Sequence, residues 1–303
     1  MFKTGSKGRV WVRRIAILAY GWTAGVLGLG MGPGLAQANM LGGPPPESRS
    51  SDLGPESRPS PFEQLSVKIN LPATRLDLYV NGVLHRSYSV AIGMPKYPTP
   101  IRDYNISHIV WNPWWIPPDS DWAEGAEKTP PGPGNPLGAV KLLMEDGIRI
   151  HGTNAPRSVG RAASHACLRM KADDIKELAW RIQQAYSEKR DPELLDKYAK
   201  NRRSSFWVSL FAGVPVSVEY RQVERQGEKF LIHPDRYGRG GLEAELEAAL
   251  AAHPQVVVSK DLVKKLRKLR AKGTVEASLE ELTQWSLGDP VPAQPESAPT
   301  KRS

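Results

Sequence analysis

Residues 93–138 are dense in proline, glycine and tryptophan, and this composition constrains the fold more than any other part of the chain. Proline lacks an amide hydrogen and holds φ at about −65°, so it interrupts helices and the interior strands of sheets. We therefore expect a long, rigid loop that is punctuated by short strands. Long ordered loops in compact domains are commonly functional, so this stretch is a candidate border of a site.

Strand patterns flank this loop on both sides. Leu76, Leu78 and Val80 alternate with polar residues at the period of a half-buried strand, and Asn81-Gly82 suits a tight hairpin turn. Further strands are predicted at residues 84–92, 140–144, 148–151 and 214–220.

Helical patterns follow Met170. Apolar residues recur at helical spacing from Ile175 to Ile182, and Asp191-Pro192 has the form of an N-cap followed by proline at the first helical position. Three more helices are predicted at residues 242–251, 262–271 and 279–285, the last with a capping box from Ser278 to Glu281. The middle one is strongly basic, which we interpret as a solvated face, with attraction to an anionic wall polymer as the alternative.

The N-terminus predicts export. Basic residues precede an apolar stretch, and Ala36-Gln37-Ala38 has the small-x-small form of a cleavage site, so residues 1–38 are interpreted as a secretory signal peptide. An uncleaved membrane anchor is the alternative. Residues 39–63 are predicted to be a disordered Pro/Ser-rich linker. After cleavage we expect an exported protein of the periplasm or cell wall that is not an integral membrane protein.

The charge of the chain is uninformative about partners. Removing the five basic residues of the signal peptide lowers the formal net charge from +9 to +4, which diagnoses neither a membrane nor an anionic polymer. No nucleic-acid-binding motif is recognisable, so no nucleic-acid partner is expected.

Cys167 is the only cysteine of the chain, and His165 lies two residues before it. An exported protein with one cysteine cannot form an internal disulfide, so the unpaired thiol is a candidate reactive group. A histidine such as His151 or His165 can generate the thiolate that acts as nucleophile. A buried structural cysteine is the alternative. No histidine pair has metal-ligand spacing, and neither a metal nor an organic cofactor is expected.

Two segments carry a family resemblance. Ile150-His151-Gly152-Thr153-Asn154 and Ser164-His165-Ala166-Cys167-Leu168-Arg169-Met170 resemble the signature of the L,D-transpeptidase (YkuD-type) catalytic domain family. Segments at 92–96, 98–100, 112–118, 131–138 and 213–216 are similar to that family in order and spacing. The resemblance spans roughly residues 65–220.

The resemblance implies a mainly β, β-sandwich-like catalytic domain over residues 64–221, with a helical insertion at about 172–205. A small helical extension at 222–285 and a disordered tail at 286–303 would follow. The implied activity is cross-linking of peptidoglycan stem peptides. Cys167 would attack the carbonyl of the third residue of a donor tetrapeptide and release the terminal D-Ala, and an amine of an acceptor stem would resolve the thioester.

The resemblance also implies roles for single residues. His151 would be the general base, oriented by the Gly152 carbonyl, and the N–H groups of Ala166 and Cys167 would stabilise the oxyanion. His165 would line the site, with a structural role as the alternative. Three further assignments stay open: Ser164 orients a histidine or closes a turn, Arg169 holds a substrate carboxylate or pins the loop, and Trp114 and Trp115 are candidate substrate contacts.

The chain departs from the family's usual form at Ala166, at Arg102, where a glycine is common, and in the length of the stretch after Met170. Ala166 stands where the family usually has glycine, so a position that tolerates positive φ bears a Cβ here. The long helical insertion is a candidate lid over the cleft.

Other functions remain open at this point. The same acyl-enzyme could transfer to a lipoprotein lysine or to water, and a catalytically silent wall-binding module is a further alternative. A papain-like protease is disfavoured, because its cysteine would lie at a helix start early in the mature chain.

Overall fold

The computed structural model describes residues 63–288. The predicted signal peptide, the predicted linker up to residue 62, and the predicted tail from residue 289 onward lie outside these residues.

A large mixed sheet forms the body of the fold. Along the chain the strands are β1 (Leu65–Asn70), β2 (Arg75–Val80), β3 (Val83–Ser89), β4 (Ile92–Gly93), β5 (Asp103–Trp111), β6 (Val140–Leu143), β7 (Arg149–His151), β8 (Ala162–Ser164), β9 (Leu168–Arg169) and β10 (Phe206–Glu219). Eight of them share one sheet in the order β3-β2-β1-β10-β5-β6-β7-β9, while β4 pairs with β8. Neighbours in the large sheet run antiparallel except for the parallel pairs β1/β10 and β7/β9. The prediction of a mainly β catalytic domain is confirmed.

The first hairpin forms where the sequence predicts it. Leu76 and Leu78 are fully buried on β2, as the alternating pattern requires. Asn81 and Gly82 both adopt positive φ, at 50° and 78°, which allows the chain to reverse tightly into β3.

The proline-rich stretch contains one element that the prediction missed. The nine-residue strand β5 lies inside the sheet between β10 and β6, where only short strands were expected. The prolines stand on both sides of it, and residues 101–112 contain none, so this part of the chain can complete its backbone hydrogen bonds. Strand β10 is also longer than predicted, because it begins at Phe206 and continues through an irregularity between Ser209 and Val214.

Two helices of the insertion, α1 (Ala172–Tyr186) and α2 (Glu193–Lys200), pack on this sheet. The apolar face of α1 is fully buried in the core, as its helical spacing predicts. Gln183 is also fully buried, and it accepts a 2.7 Å hydrogen bond from the Trp111 indole while donating to the Lys189 carbonyl and the Tyr198 hydroxyl. Tyr198 in turn stacks on Trp111, with ring centroids 4.9 Å apart. These contacts bind the insertion firmly to the sheet.

The C-terminal extension contains a small sheet as well as helices. Helices α3 (Leu242–Leu250), α4 (Lys260–Arg270) and α5 (Leu279–Leu287) lie close to their predicted positions, and the predicted capping box of Ser278 and Glu281 is present. The description of this extension as helical is incomplete, since β11 (Val223–Gln226), β12 (Lys229–Ile232) and β13 (Val275–Ser278) form a three-stranded antiparallel sheet. Strands of four residues are too short to show a clear sequence period.

Charged side chains join the extension to the large sheet. Arg75 on β2 makes two hydrogen bonds of 2.9 and 3.0 Å to the carboxylate of Glu224 on β11, and it also pairs with Asp77. Glu224 additionally contacts the buried His233, at 2.9 Å. These partners lower the pKa of Glu224 to about 2 although burial opposes ionisation, so the junction is charged at neutral pH.

Across residues 63–288, none of the helices combines the length and apolar character needed to cross a bilayer.

Gly93, at the end of β4, allows an unusually close approach of the following turn. A Cβ at this position would lie 2.6 Å from the Thr99 amide nitrogen and would also collide with the Tyr97 carbonyl oxygen. We expect Gly93→Ala to lower the free energy of unfolding by about 1–3 kcal/mol, the usual effect of forcing an extra carbon into a packed site. Equilibrium urea unfolding measures this change. Gly134→Ala is the matched control, because a Cβ there meets no atom within 4 Å, and equal losses in the two variants would contradict the prediction.

Candidate active site

A cavity of about 360 Å³ brings Cys167 and His151 together at the end of β7. Its other lining residues include Trp114, Trp115, Trp122, Ser164, His165 and Arg169. None of its lining residues comes from 172–205, so the helical insertion does not act as a lid in this structure. Among residues 63–288, no group of three or more His, Cys, Asp or Glu side chains is placed to hold a metal ion.

His151 is the last residue of β7 and is only 5% exposed. Its Nδ1 lies 2.6 Å from the Gly152 carbonyl oxygen. Because a carbonyl can only accept, Nδ1 carries the proton and Nε2 is left as the acceptor. The geometry therefore agrees with the orienting role that was predicted for Gly152.

The environment of His151 disfavours its charged form. Burial lowers its pKa to about 3, and the nearby cations Arg169, Arg149 and Lys141 add to this effect against the Gly152 hydrogen bond. The imidazole is thus neutral at physiological pH and able to accept a proton.

Cys167 lies in a tight loop between β8 and β9. Ser164 donates a short hydrogen bond from its hydroxyl to the Cys167 carbonyl, so of its two predicted roles this contact favours closing the turn. Ala166 adopts φ +71°, in the left-handed region. Glycine tolerates this conformation, whereas an alanine with its Cβ is strained there. The loop keeps this conformation because Thr99 donates a 2.8 Å hydrogen bond from its hydroxyl to the Ala166 carbonyl.

The backbone of Ala166 corrects one prediction. Its N–H donates to the Tyr97 carbonyl at 3.1 Å, so it is not free to stabilise an oxyanion. The Cys167 N–H, by contrast, has no hydrogen-bond acceptor among residues 63–288. Of the two donors predicted, only Cys167 remains available.

His165 packs against two aromatic rings. Trp122 stacks on it almost in parallel, with centroids 4.0 Å apart, and the Tyr97 ring lies at 4.9 Å, tilted by 54°. Its pKa is lowered, first by burial and then by Arg169 and Lys96. This placement supports the site-lining role of His165 and shows how a loop residue far away in sequence, Trp122, completes the wall.

The proline-rich loop that carries these tryptophans is anchored by one asparagine. Asn135 is fully buried, and its amide donates to the carbonyls of Pro113, Thr129 and Pro130 while accepting from the Leu137 N–H. Trp115 exchanges two backbone hydrogen bonds of 2.9 Å with Thr129. The candidate contacts Trp114 and Trp115 thus sit on a rigid wall, with Trp114 45% exposed.

Two cations at the site were not predicted from the sequence. Lys141 on β6 and Arg149 on β7 line the cavity together with Arg169. The available signal was their position, because Arg149 precedes His151 by two residues on a strand and therefore shares its face.

The neutral imidazole leads to a pH prediction. A base whose pKa falls on folding takes up its proton on unfolding, so stability rises with pH between about 3 and 6.5. When the pH falls from 6.5 to 4.5, we expect the unsubstituted protein to lose about 2 kcal/mol more unfolding free energy than His151→Gln, because only the unsubstituted protein carries this histidine. Urea unfolding at a series of pH values measures this, with the exposed His85→Gln as control. Parallel curves for the His151 variant and the unsubstituted protein would contradict the assignment.

Known proteins similar to this chain identify its family. The family model described as L,D-transpeptidase catalytic domain, YkuD, matches residues 65–218. The Bacillus subtilis protein named "Putative L,D-transpeptidase YkuD" is 31% identical over 114 residues, which are 37% of this chain and 57% of that protein. "Putative L,D-transpeptidase YqjB" of the same organism is 33% identical over 124 residues, covering 39% of this chain and 64% of that one.

The chain therefore spans less than two thirds of the length of these curated relatives. A solved L,D-transpeptidase from Mycobacterium smegmatis aligns with 52% of this chain and 59% of its own, at 16% identity and a TM-score of 0.33. The family assignment rests on the family model, whose match covers half of the 303 residues. The chain belongs to the L,D-transpeptidase catalytic domain family.

Proposed function

We propose that this protein is a peptidoglycan L,D-transpeptidase that cross-links stem peptides through a thioester on Cys167. The observation that carries the proposal is the shared cavity of Cys167 and a buried, neutral His151 whose Nε2 is free to accept a proton. The predicted export of the chain fits a substrate in the wall.

The proposed reaction has two halves. His151 takes the Cys167 proton, and the thiolate attacks the carbonyl carbon of the third residue of a donor tetrapeptide. The bond to the terminal D-Ala breaks, and the imidazolium returns its proton to the leaving amine. An amine of an acceptor stem then attacks the thioester and gives up a proton, and the Cys167 thiol is regenerated.

The environment of His151 suits both proton transfers, from the Cys167 thiol and to the leaving amine. An isolated imidazolium is costly in this environment, but one formed beside the thiolate is partly neutralised by it. The same low pKa makes the imidazolium a strong acid toward the leaving amine. The tetrahedral oxyanion would be stabilised by the Cys167 N–H, a donor typically worth about 10²–10³ in rate.

Cys167→Ala tests the proposal. With a purified disaccharide tetrapeptide, we expect the unsubstituted protein to form a cross-linked dimer and free D-Ala, and the variant to lose at least about 10⁴-fold in rate, as expected when a nucleophile is removed. Mass spectrometry identifies the products. Ser209→Ala, an exposed serine on β10, is the control for substitution itself.

The products also distinguish the alternatives. Tripeptide without dimer would indicate hydrolysis, and a product on a lipoprotein lysine would indicate anchoring; both would replace cross-linking while keeping the acyl-enzyme. Equal activity of Cys167→Ala and the unsubstituted protein would overturn the mechanism altogether.

A further inference from the structure

Three strands place cations on both sides of His151. In the sheet register Lys141 of β6 stands opposite His151 of β7, and His151 stands opposite Arg169 of β9. Arg149 lies two residues before His151 and so projects to the same face. All four side chains line the cavity that holds Cys167.

Lys141, Arg149 and Arg169 concentrate positive charge in this cavity. Lys141, Arg149 and Arg169 make no ion pair with any acidic side chain of residues 63–288, and the lining of the cavity contains no Asp or Glu. Burial and Arg149 lower the pKa of Lys141, and burial lowers that of Arg169. The Lys141 ammonium also lies 5.8 Å from the centroid of the Trp207 ring, but an aromatic face does not neutralise a charge. Half-buried like charges without a carboxylate partner therefore favour the binding of an anion.

We propose that Lys141, Arg149 and Arg169 form a subsite for the terminal carboxylate of the donor peptide, the carboxylate of the residue that leaves. This inference rests on the proposed function. His151 delivers its proton to the leaving amine, and the carboxylate of that residue is only two bonds from the amine nitrogen. The cations that flank His151 therefore face this carboxylate. Their presence would make a free carboxyl terminus a requirement for the donor.

The test compares two donors that differ in one group, a tetrapeptide with a free terminal carboxylate and the same peptide with a terminal amide. For the unsubstituted protein we expect kcat/KM to be at least about 10-fold higher with the acid. Lys141→Gln and Arg149→Gln should each reduce the ratio of kcat/KM for the acid to kcat/KM for the amide by about 10-fold, mainly through a higher KM for the acid. Lys200→Gln, on the exposed face of α2, is the charge-matched control.

Other outcomes would overturn the subsite. Equal rates for acid and amide, or equal losses for both donors in the variants, contradict it. A second amidated donor has its side-chain carboxylate blocked on the third residue. If kcat/KM falls with this donor and not with the terminal amide, the cations bind the side-chain carboxylate and the proposed terminal subsite is refuted.

Failure of the subsite and failure of the function are separable. Binding of the acid and amide peptides to Cys167→Ala, followed by NMR titration, tests the subsite without turnover. Acylation of Cys167 by a carbapenem, followed by intact mass, tests the nucleophile independently of the donor's carboxylate. Acylation and turnover without discrimination between the peptides would leave the function and remove the subsite.

The C-terminal extension contacts Thr99 through Tyr237. The hydroxyl of Tyr237 accepts a 3.2 Å hydrogen bond from the Thr99 N–H, and Thr99 is the residue whose hydroxyl holds the Ala166 carbonyl. Tyr237 is itself fixed, since its N–H donates to the Tyr220 hydroxyl at 2.8 Å and the two rings stack. Tyr220 in turn donates to Asp235 at 2.6 Å.

We infer that Tyr237 is a positioning residue through which the extension stabilises the nucleophile loop, the segment between β8 and β9 that carries Cys167. Ala166 in the left-handed conformation carries backbone strain that glycine would not. The chain Tyr237–Thr99–Ala166 opposes relaxation of this strain, which would move the adjacent Cys167.

Tyr237→Phe tests this inference. We expect its rate of Cys167 alkylation by iodoacetamide, or acylation by a carbapenem, to fall about 3–10-fold, and the added substitution Ala166→Gly to restore most of the loss by removing the strain. Tyr186→Phe is the matched control, because that hydroxyl also accepts from a backbone N–H, of Leu65, and Tyr186 is not among the residues that line the cavity. Equal effects of the two tyrosine variants, or no rescue by glycine, would overturn the inference.

Discussion

The hydrogen bond from the Thr99 hydroxyl to the Ala166 carbonyl is the contact on which the candidate site depends. It holds a non-glycine residue in the left-handed region directly before Cys167. The same hydroxyl accepts from the Gly93 N–H at 2.9 Å, where no Cβ could fit. One threonine thus connects the end of β4, the nucleophile loop and, through its own N–H, the C-terminal extension.

Electrostatics at the site favour a neutral base over an ion pair. In this structure the His151 imidazole is buried and lies near three cations, Lys141, Arg149 and Arg169. Both influences keep the imidazole uncharged until a proton is transferred to it. The cations that disfavour imidazolium are also those proposed to bind the donor carboxylate, so the proposed mechanism couples substrate binding and base strength through the same side chains.

Much of the fold was predictable where a local pattern is long enough to read. The β2–β3 hairpin and helix α1 follow directly from alternation and from helical spacing, because each pattern reports one buried face. Strand β5 was hidden by the prolines around it, and the four-residue strands β11, β12 and β13 carry too few residues for a period. Their existence depends on partners that are distant in sequence.

The sequence by itself determined the family, the candidate pair Cys167 and His151, and the unusual alanine at 166, because these depend on residue identity within short segments. Only the tertiary structure decided which groups surround that pair. It directed the Ala166 N–H to Tyr97, stacked Trp122 on His165, aligned Lys141 and Arg169 beside His151, and brought Tyr237 to Thr99. Strand register and loop closure set these contacts, and both are settled by packing across the whole sheet rather than by neighbouring residues.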